Sequence, residues 1–193
     1  MINVDISGLQ VYMNKLFDFD EELLNHSKRV AQMSWLVGNL YNGVDLDILY
    51  KAGLMHDIGK LEIPKEILNK KGPLTDEEYE LVKLHVDKCK DVILSNDLEA
   101  RALIPYIETY HERYNGKGYL RGLKGDEIPL ISRIIGVCDS IDAILSSRPY
   151  KDSLSLEYCY SEIDNNRGIL YDSGVVECVI SNWNDVLEMR KLS

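Results

Sequence analysis

The chain is poor in the features that mark several large classes of protein. It has four cysteines and five prolines in 193 residues. Cys89, Cys138, Cys159 and Cys178 form no C-x-x-C pair, so neither a zinc knuckle nor a dithiol redox motif is indicated. They read as reduced, mostly buried thiols. No apolar run approaches the ~18 residues that span a bilayer, so no transmembrane helix is expected. Met1 to Asp5 is polar and acidic and lacks the basic-then-apolar build of a signal peptide, so a cytoplasmic location is expected. Basic residues are also in deficit, 22 Lys and Arg against 32 Asp and Glu, a net charge of -10. That balance excludes a broad surface for polymeric nucleic acid or anionic membrane, which needs an excess of cations. It leaves room for a small anionic substrate, because local charge can oppose the global sign.

What is present is ordinary for one globular domain: 45% hydrophobic and 28% charged residues, enough to bury a core without staples. Internal repeats, low-complexity linkers and alternating β-branched runs are absent, and the chain reads as all-α. Leu23, Val30, Met33, Val37 and Leu40 recur at helical spacing over residues 20–42. A second helix is predicted over 45–56, with Asp45 or Asp47 as N-cap and Gly59 as breaker. Pro64 opens a helical turn at 64–69. Thr75 and Glu78 form a capping-box pattern that starts a helix to about Ser95. Further helices are predicted over 98–112, 128–146, 153–166 and 174–190, with a Gly-rich loop at 116–125.

The chemistry-bearing residues are few. Four histidines, His26, His56, His85 and His111, fall in or beside these helices. His56 is followed by Asp57 in the run Gly53-Leu-Met-His56-Asp57-Ile-Gly59-Lys60. A carboxylate has two oxygens and can bridge two metals, whereas an imidazole supplies one nitrogen to one metal. Asp139 sits in a helix that is apolar on most sides, where a carboxylate is costly unless it is paired or bound to a cation.

The order His26-Ser27-x-x-Val30, His56-Asp57-x-Gly59-Lys60, His85, His111-Glu112 and Asp139 resembles the HD superfamily of metal-dependent phosphohydrolases. More narrowly it resembles the HD-GYP subfamily, associated with hydrolysis of cyclic di-GMP. Ile63-Pro64-x-x-Ile-Leu68, Gly72-x-Leu74-Thr75-x-x-Glu78, His111-Glu112-Arg113-x-x-Gly116-x-Gly118-Tyr119 and Asp139-x-x-Asp142-Ala143 support the narrower reading. The resemblance spans about residues 18–185. It implies a helical bundle of the HD type with a metal site in its core, residues 18–193 as catalytic domain and 1–17 as an N-terminal helical extension.

Position by position, the resemblance implies a first metal on His26, His56, Asp57 and Asp139. Asp57 would bridge to a second metal, held also by His85 and His111. Glu22, four residues before His26, matches a position that in some members helps hold a third metal. Lys60, Tyr119, Arg148 and Lys151 match substrate contacts, with Asp57 and Lys60 also at the reacting phosphate. Two divalent ions are implied, iron or manganese, with zinc compatible with the ligand set. The implied substrate is cyclic di-GMP, with signal input from a separate protein. Another nucleotide substrate, or a non-catalytic nucleotide-binding regulatory domain, are the alternatives.

Two departures from the family pattern stand out. Tyr110-His111 replaces two successive histidines, and a phenol that keeps its proton is a poor ligand, which weakens the second site. Gly118-Tyr119-Leu120 replaces Gly-Tyr-Pro, and leucine frees a φ that proline fixes, predicting a looser loop. Arg113, Lys117, Arg121 and Lys124 give this loop a local positive charge that would attract a phosphodiester.

Overall fold

A computed structural model describes residues 2–94, 97–146 and 154–192. Twelve α-helices are present among them: α1 (Gln10–Phe19), α2 (Glu21–Tyr41), α3 (Leu46–Met55), α4 (Lys65–Leu68), α5 (Asp76–Lys83), α6 (His85–Val92), α7 (Leu98–Ala102), α8 (Ile104–Ile107), α9 (Leu130–Leu145), α10 (Leu156–Asn165), α11 (Ser173–Ser181) and α12 (Trp183–Arg190). No strand occurs among the described residues. No helix among them is long and apolar enough to cross a membrane.

The axis of the bundle is α2. Asp20 caps it by accepting hydrogen bonds from the Glu22 and Leu23 amides, at 2.9 and 3.3 Å, and Glu21 and Glu22 complement the dipole of the first turn. Its apolar stripe, Leu24, Val30, Met33 and Val37, is buried. α3 and α9 pack against that stripe, with α1, α11 and α12 around them. The first helix joins the same core through Tyr12, Met13 and Leu16.

Asp45 is the N-cap of α3, and Thr75 with Glu78 forms the capping box of α5. Three long helices read from periodicity are each two. The span 75–95 divides at Leu84, whose amide turns back to the Leu81 and Val82 carbonyls and tightens the turn. The span 98–112 divides before Pro105, which has no N–H to continue the ladder of α7. The span 174–190 divides at Asn182, whose side-chain amide donates to the Cys178 carbonyl at 2.8 Å and competes with the backbone.

Two glycines set how closely the elements holding the site approach one another. Gly59 lies in a 3-10 turn, Ile58–Glu62, pressed against α6, where a Cβ would fall 1.8 Å from the His85 carbonyl oxygen. Gly136 of α9 lies under Tyr110, where a Cβ would fall 2.6 Å from the Tyr110 carbonyl oxygen. Both contacts exclude any side chain.

Candidate metal centre

Four segments converge where α2, the end of α3, α6 and α9 meet. His26 comes from α2, His56 and Asp57 from the end of α3, His85 from the first turn of α6 and Asp139 from α9. One donor atom each from His26, His56 and Asp139 lies within 4.8 Å of the others. His26 Nε2 is 3.2 Å from Asp139 Oδ1, and 3.5 Å from Asp57 Oδ2. His56 Nε2 is 3.4 Å from the same Asp57 oxygen. The other Asp57 oxygen, Oδ1, faces the opposite way, 3.5 Å from His85 Nε2.

The imidazoles are oriented from behind. His56 Nδ1 donates to the Gly53 carbonyl at 2.7 Å, and His85 Nδ1 to the Val82 carbonyl at 2.6 Å. His26 Nδ1 lies 2.7 Å from Asp142 Oδ2. In the His56 and His85 rings the proton therefore sits on Nδ1, and Nε2 presents its lone pair to the centre, the tautomer a metal ligand needs. His26 Nδ1 is held by Asp142 in the same way, and its Nε2 would take that form when a cation displaces the proton it shares with the facing carboxylates. Asp142 is fully buried and is held by Arg29 Nε at 2.8 Å and Arg190 Nε at 2.7 Å. The sequence reading included Asp142 in a motif without assigning it a role, and it missed Arg29 and Arg190. Only the Asp139-to-Asp142 spacing pointed to that network.

Charge follows the same geometry. Burial pushes Asp57 upward, but Lys60 and His56 beside it outweigh that and hold it well below the usual carboxylate range. Burial lowers His26, but the facing carboxylates of Asp139, Asp142 and Asp57 dominate and raise it from 6.5 to about 10. His85 goes the other way, lowered by burial to about 4.

A divalent ion fits this donor set. Among the described residues His26 Nε2 and His56 Nε2 are buried and have no hydrogen-bond partner. Unpartnered buried nitrogens beside ionised carboxylates are costly unless a cation joins them.

The remaining candidates are placed around this centre. Lys60 Nζ contacts Asp57 Oδ2 at 2.6 Å. Glu22 is 64% exposed and accepts from Arg29 Nη2 at 2.6 Å, so its carboxylate is engaged with Arg29. His111 stacks on Tyr119, with ring centroids 4.8 Å apart, and lies 5.2 Å from the His85 ring. Arg148 and Lys151 lie outside the described residues. Tyr110 does face the centre. It is buried, and its hydroxyl lies 2.8 Å from His85 Nε2 and 3.1 Å from Asp57 Oδ1.

A cavity of about 720 Å³ lies beside the centre and meets it at His26, with Arg29, Lys60, Leu68, Tyr79 and Asp142 among its other lining residues. Among the described residues the cations on its wall are Lys60 and Arg29, not those of the Gly-rich loop. In that loop Arg121 pairs with buried Glu108, and Arg113 lies 5.4 Å over the Tyr171 ring. The loop is also pinned without proline, because Glu112 accepts from the Arg121 and Gly122 amides at 2.6 and 3.1 Å.

Known proteins carry the same pattern. Residues 10–175 match the HD domain family. The chain is 36% identical over 186 residues to a cyclic di-GMP phosphodiesterase of Thermotoga maritima, covering 93% of this chain and 50% of that protein. It is 30% identical over 168 residues to 3'3'-cGAMP-specific phosphodiesterase 2 of Vibrio cholerae, covering 86% of this chain and 32% of that protein. The chain thus spans half or less of the length of these relatives. Among solved structures, a cyclic GMP-AMP-specific phosphodiesterase of V. cholerae superposes with a TM-score of 0.66 at 19% identity, covering 97% of this chain and 51% of that one. An HDG"Y"P protein of Bdellovibrio bacteriovorus superposes with a TM-score of 0.63 at 14% identity, covering 82% of this chain and 51% of that one. The helical bundle, the clustered His and Asp residues and a match over most of its length make this chain a member of the HD domain family, among its HD-GYP proteins.

Proposed function

We propose that this chain hydrolyses a phosphodiester bond of a cyclic dinucleotide, with cyclic di-GMP as the substrate to test first. The observation that carries the reading is the pair of partnerless Nε2 atoms of His26 and His56, set beside Asp57 and Asp139 and next to a cavity that His26 and Lys60 line. The names of the relatives supply the substrate class.

His26, His56, Asp57 and Asp139 would hold the ion, iron or manganese by resemblance, with zinc also suited to mixed nitrogen and oxygen donors. A divalent ion there supplies Lewis acidity toward a phosphoryl oxygen and acidifies a water. Asp142 fixes the His26 ring. Lys60, on the cavity wall, neutralises charge developing on the phosphoryl oxygens, with Arg148 and Lys151 as further phosphate contacts and Tyr119 against the nucleotide.

A second reading, nucleotide binding without turnover, is favoured by the Tyr110 hydroxyl lodged between His85 and Asp57. A substrate panel decides. The metal-loaded protein is incubated with cyclic di-GMP, 3'3'-cGAMP and linear nucleotides, and products are separated by chromatography. Cleavage of cyclic dinucleotides supports the first reading. Binding with no product supports the second, and cleavage of linear nucleotides alone moves the chain to another HD-type activity.

A further inference from the structure

We propose that this centre is built for one metal ion, because the Tyr110 phenol occupies the position a second ion would take. The inference rests on reading the His and Asp cluster as a metal centre.

The two faces of Asp57 are not equivalent. On the Oδ2 side, His26 Nε2 and His56 Nε2 have no hydrogen-bond partner among the described residues. On the Oδ1 side, His85 Nε2 has one, the Tyr110 hydroxyl at 2.8 Å, which also lies 3.1 Å from Oδ1 itself. His85 Nδ1 already donates to the Val82 carbonyl, so Nε2 and Oδ1 are both acceptors. The phenolic O–H donates to Asp57 Oδ1 and its oxygen lies against His85 Nε2, so the hydroxyl fills the space between the two acceptors. An ion at ~2.1 Å from both acceptors would fall on the phenolic oxygen, which lies 2.8 and 3.1 Å from the same two atoms.

Nor can the ring swing aside. Tyr110 is 2% exposed. Its ring meets the His56 ring edge-on at 5.0 Å and the His111 ring at 4.1 Å, while its backbone carbonyl rests on Gly136. His111, the other residue matched to the second ion, is packed between the rings of Tyr110 and Tyr119.

The test is a metal count that needs no substrate. The chelator-treated chain is titrated with Mn(II), and free and bound ion are followed by electron paramagnetic resonance. The wild type should saturate at one ion per chain with the spectrum of an isolated ion. Tyr110→His, which replaces the plug with an imidazole, should saturate at two and show spin coupling. Should that variant fail to fold by circular dichroism, Tyr110→Phe carries the test, since it keeps the ring and removes only the hydroxyl. It should take up a second, weaker ion. Two ions in the wild type overturn the proposal. So does saturation at one ion in the folded variant, or a visible phenolate charge-transfer band with ferric iron that Tyr110→Phe abolishes, since Tyr110 would then be a ligand. Absence of hydrolysis would overturn the proposed activity and leave the count unaffected, so the two failures are distinguishable.

Discussion

The Asp142 carboxylate lies 2.7 Å from Nδ1 of His26 and turns the other ring nitrogen toward Asp57 and Asp139. Two guanidinium groups, from Arg29 and Arg190, hold Asp142 in turn. Carboxylates that orient a metal-binding imidazole are commonly worth about 10- to 100-fold in metal affinity. Asp142→Asn should therefore weaken Mn(II) binding by about that factor while the helical content persists. Titration of both proteins measures it, and equal affinity would show that His26 is not a ligand.

His56→Ala or Asp57→Ala should abolish hydrolysis while the fold largely persists, because helix packing supplies most of the folding energy. Circular dichroism and a cyclic di-GMP assay on the same samples check this. Wild-type turnover in either variant would place the chemistry elsewhere.

Lys60 touches the Asp57 oxygen on the side of the partnerless nitrogens and lines the cavity. Lys60→Ala should lower kcat by about 100-fold, the scale for loss of one donor to a transition state. Arg148→Ala should raise KM and leave kcat near wild type if Arg148 holds substrate equally in ground and transition states. Metal content should be unchanged in both. A pure KM effect for Lys60→Ala would remove its role in the reacting step.

Stability of the metal-free protein should depend on pH in two opposed ways. The facing carboxylates outweigh burial and raise His26 from 6.5 to about 10, so the folded state holds a proton that the unfolded chain releases. That stabilisation is full below pH 6.5 and is lost as pH rises toward 10. Burial lowers His85 from 6.5 to about 4, so its contribution is present above pH 6.5 and is lost as pH falls toward 4. Tm should peak near pH 6.5 and fall on both sides, and bound Mn(II) should remove the alkaline fall by replacing the proton on His26. Thermal scans with and without metal measure this. A metal-free Tm that rises steadily with pH would contradict the assignment of His26.

The thiols should be inert. Cys89, Cys138 and Cys159 are buried, and burial pushes each up to about 12. Brief iodoacetamide treatment of native protein near neutral pH should leave these three unmodified, whereas denatured protein should take four labels. Mass spectrometry counts the labels, and rapid native labelling of Cys138 would mean that the core around α9 opens readily.

The residues of the centre were legible through the order of motifs that resembles the HD-GYP family, the His56-Asp57 pair followed by His85 and by Asp139 in an apolar helix, with His26 ahead of them. What joins them was not legible. His26 and Asp142 are 116 positions apart, and Arg190 reaches Asp142 from near the C-terminus, so no window of sequence holds both partners. Helix existence followed from apolar spacing, but the break at Leu84 did not, because spacing continues through it while the backbone tightens to aim His85 at Asp57. Tyr110 stood out as a departure from a pattern. Its effect depends on where its hydroxyl lands, which only the packing against Gly136 and His56 determines.

The most direct test of the central claim is cyclic di-GMP hydrolysis by one preparation in three states: as purified without oxygen, after chelation, and after reloading with Mn(II) or Fe(II). Turnover should vanish on chelation and return on reloading, and it should not return in His56→Ala treated the same way. Turnover that survives complete metal removal, or a reloaded wild type that gives no product from any cyclic dinucleotide, would contradict the account.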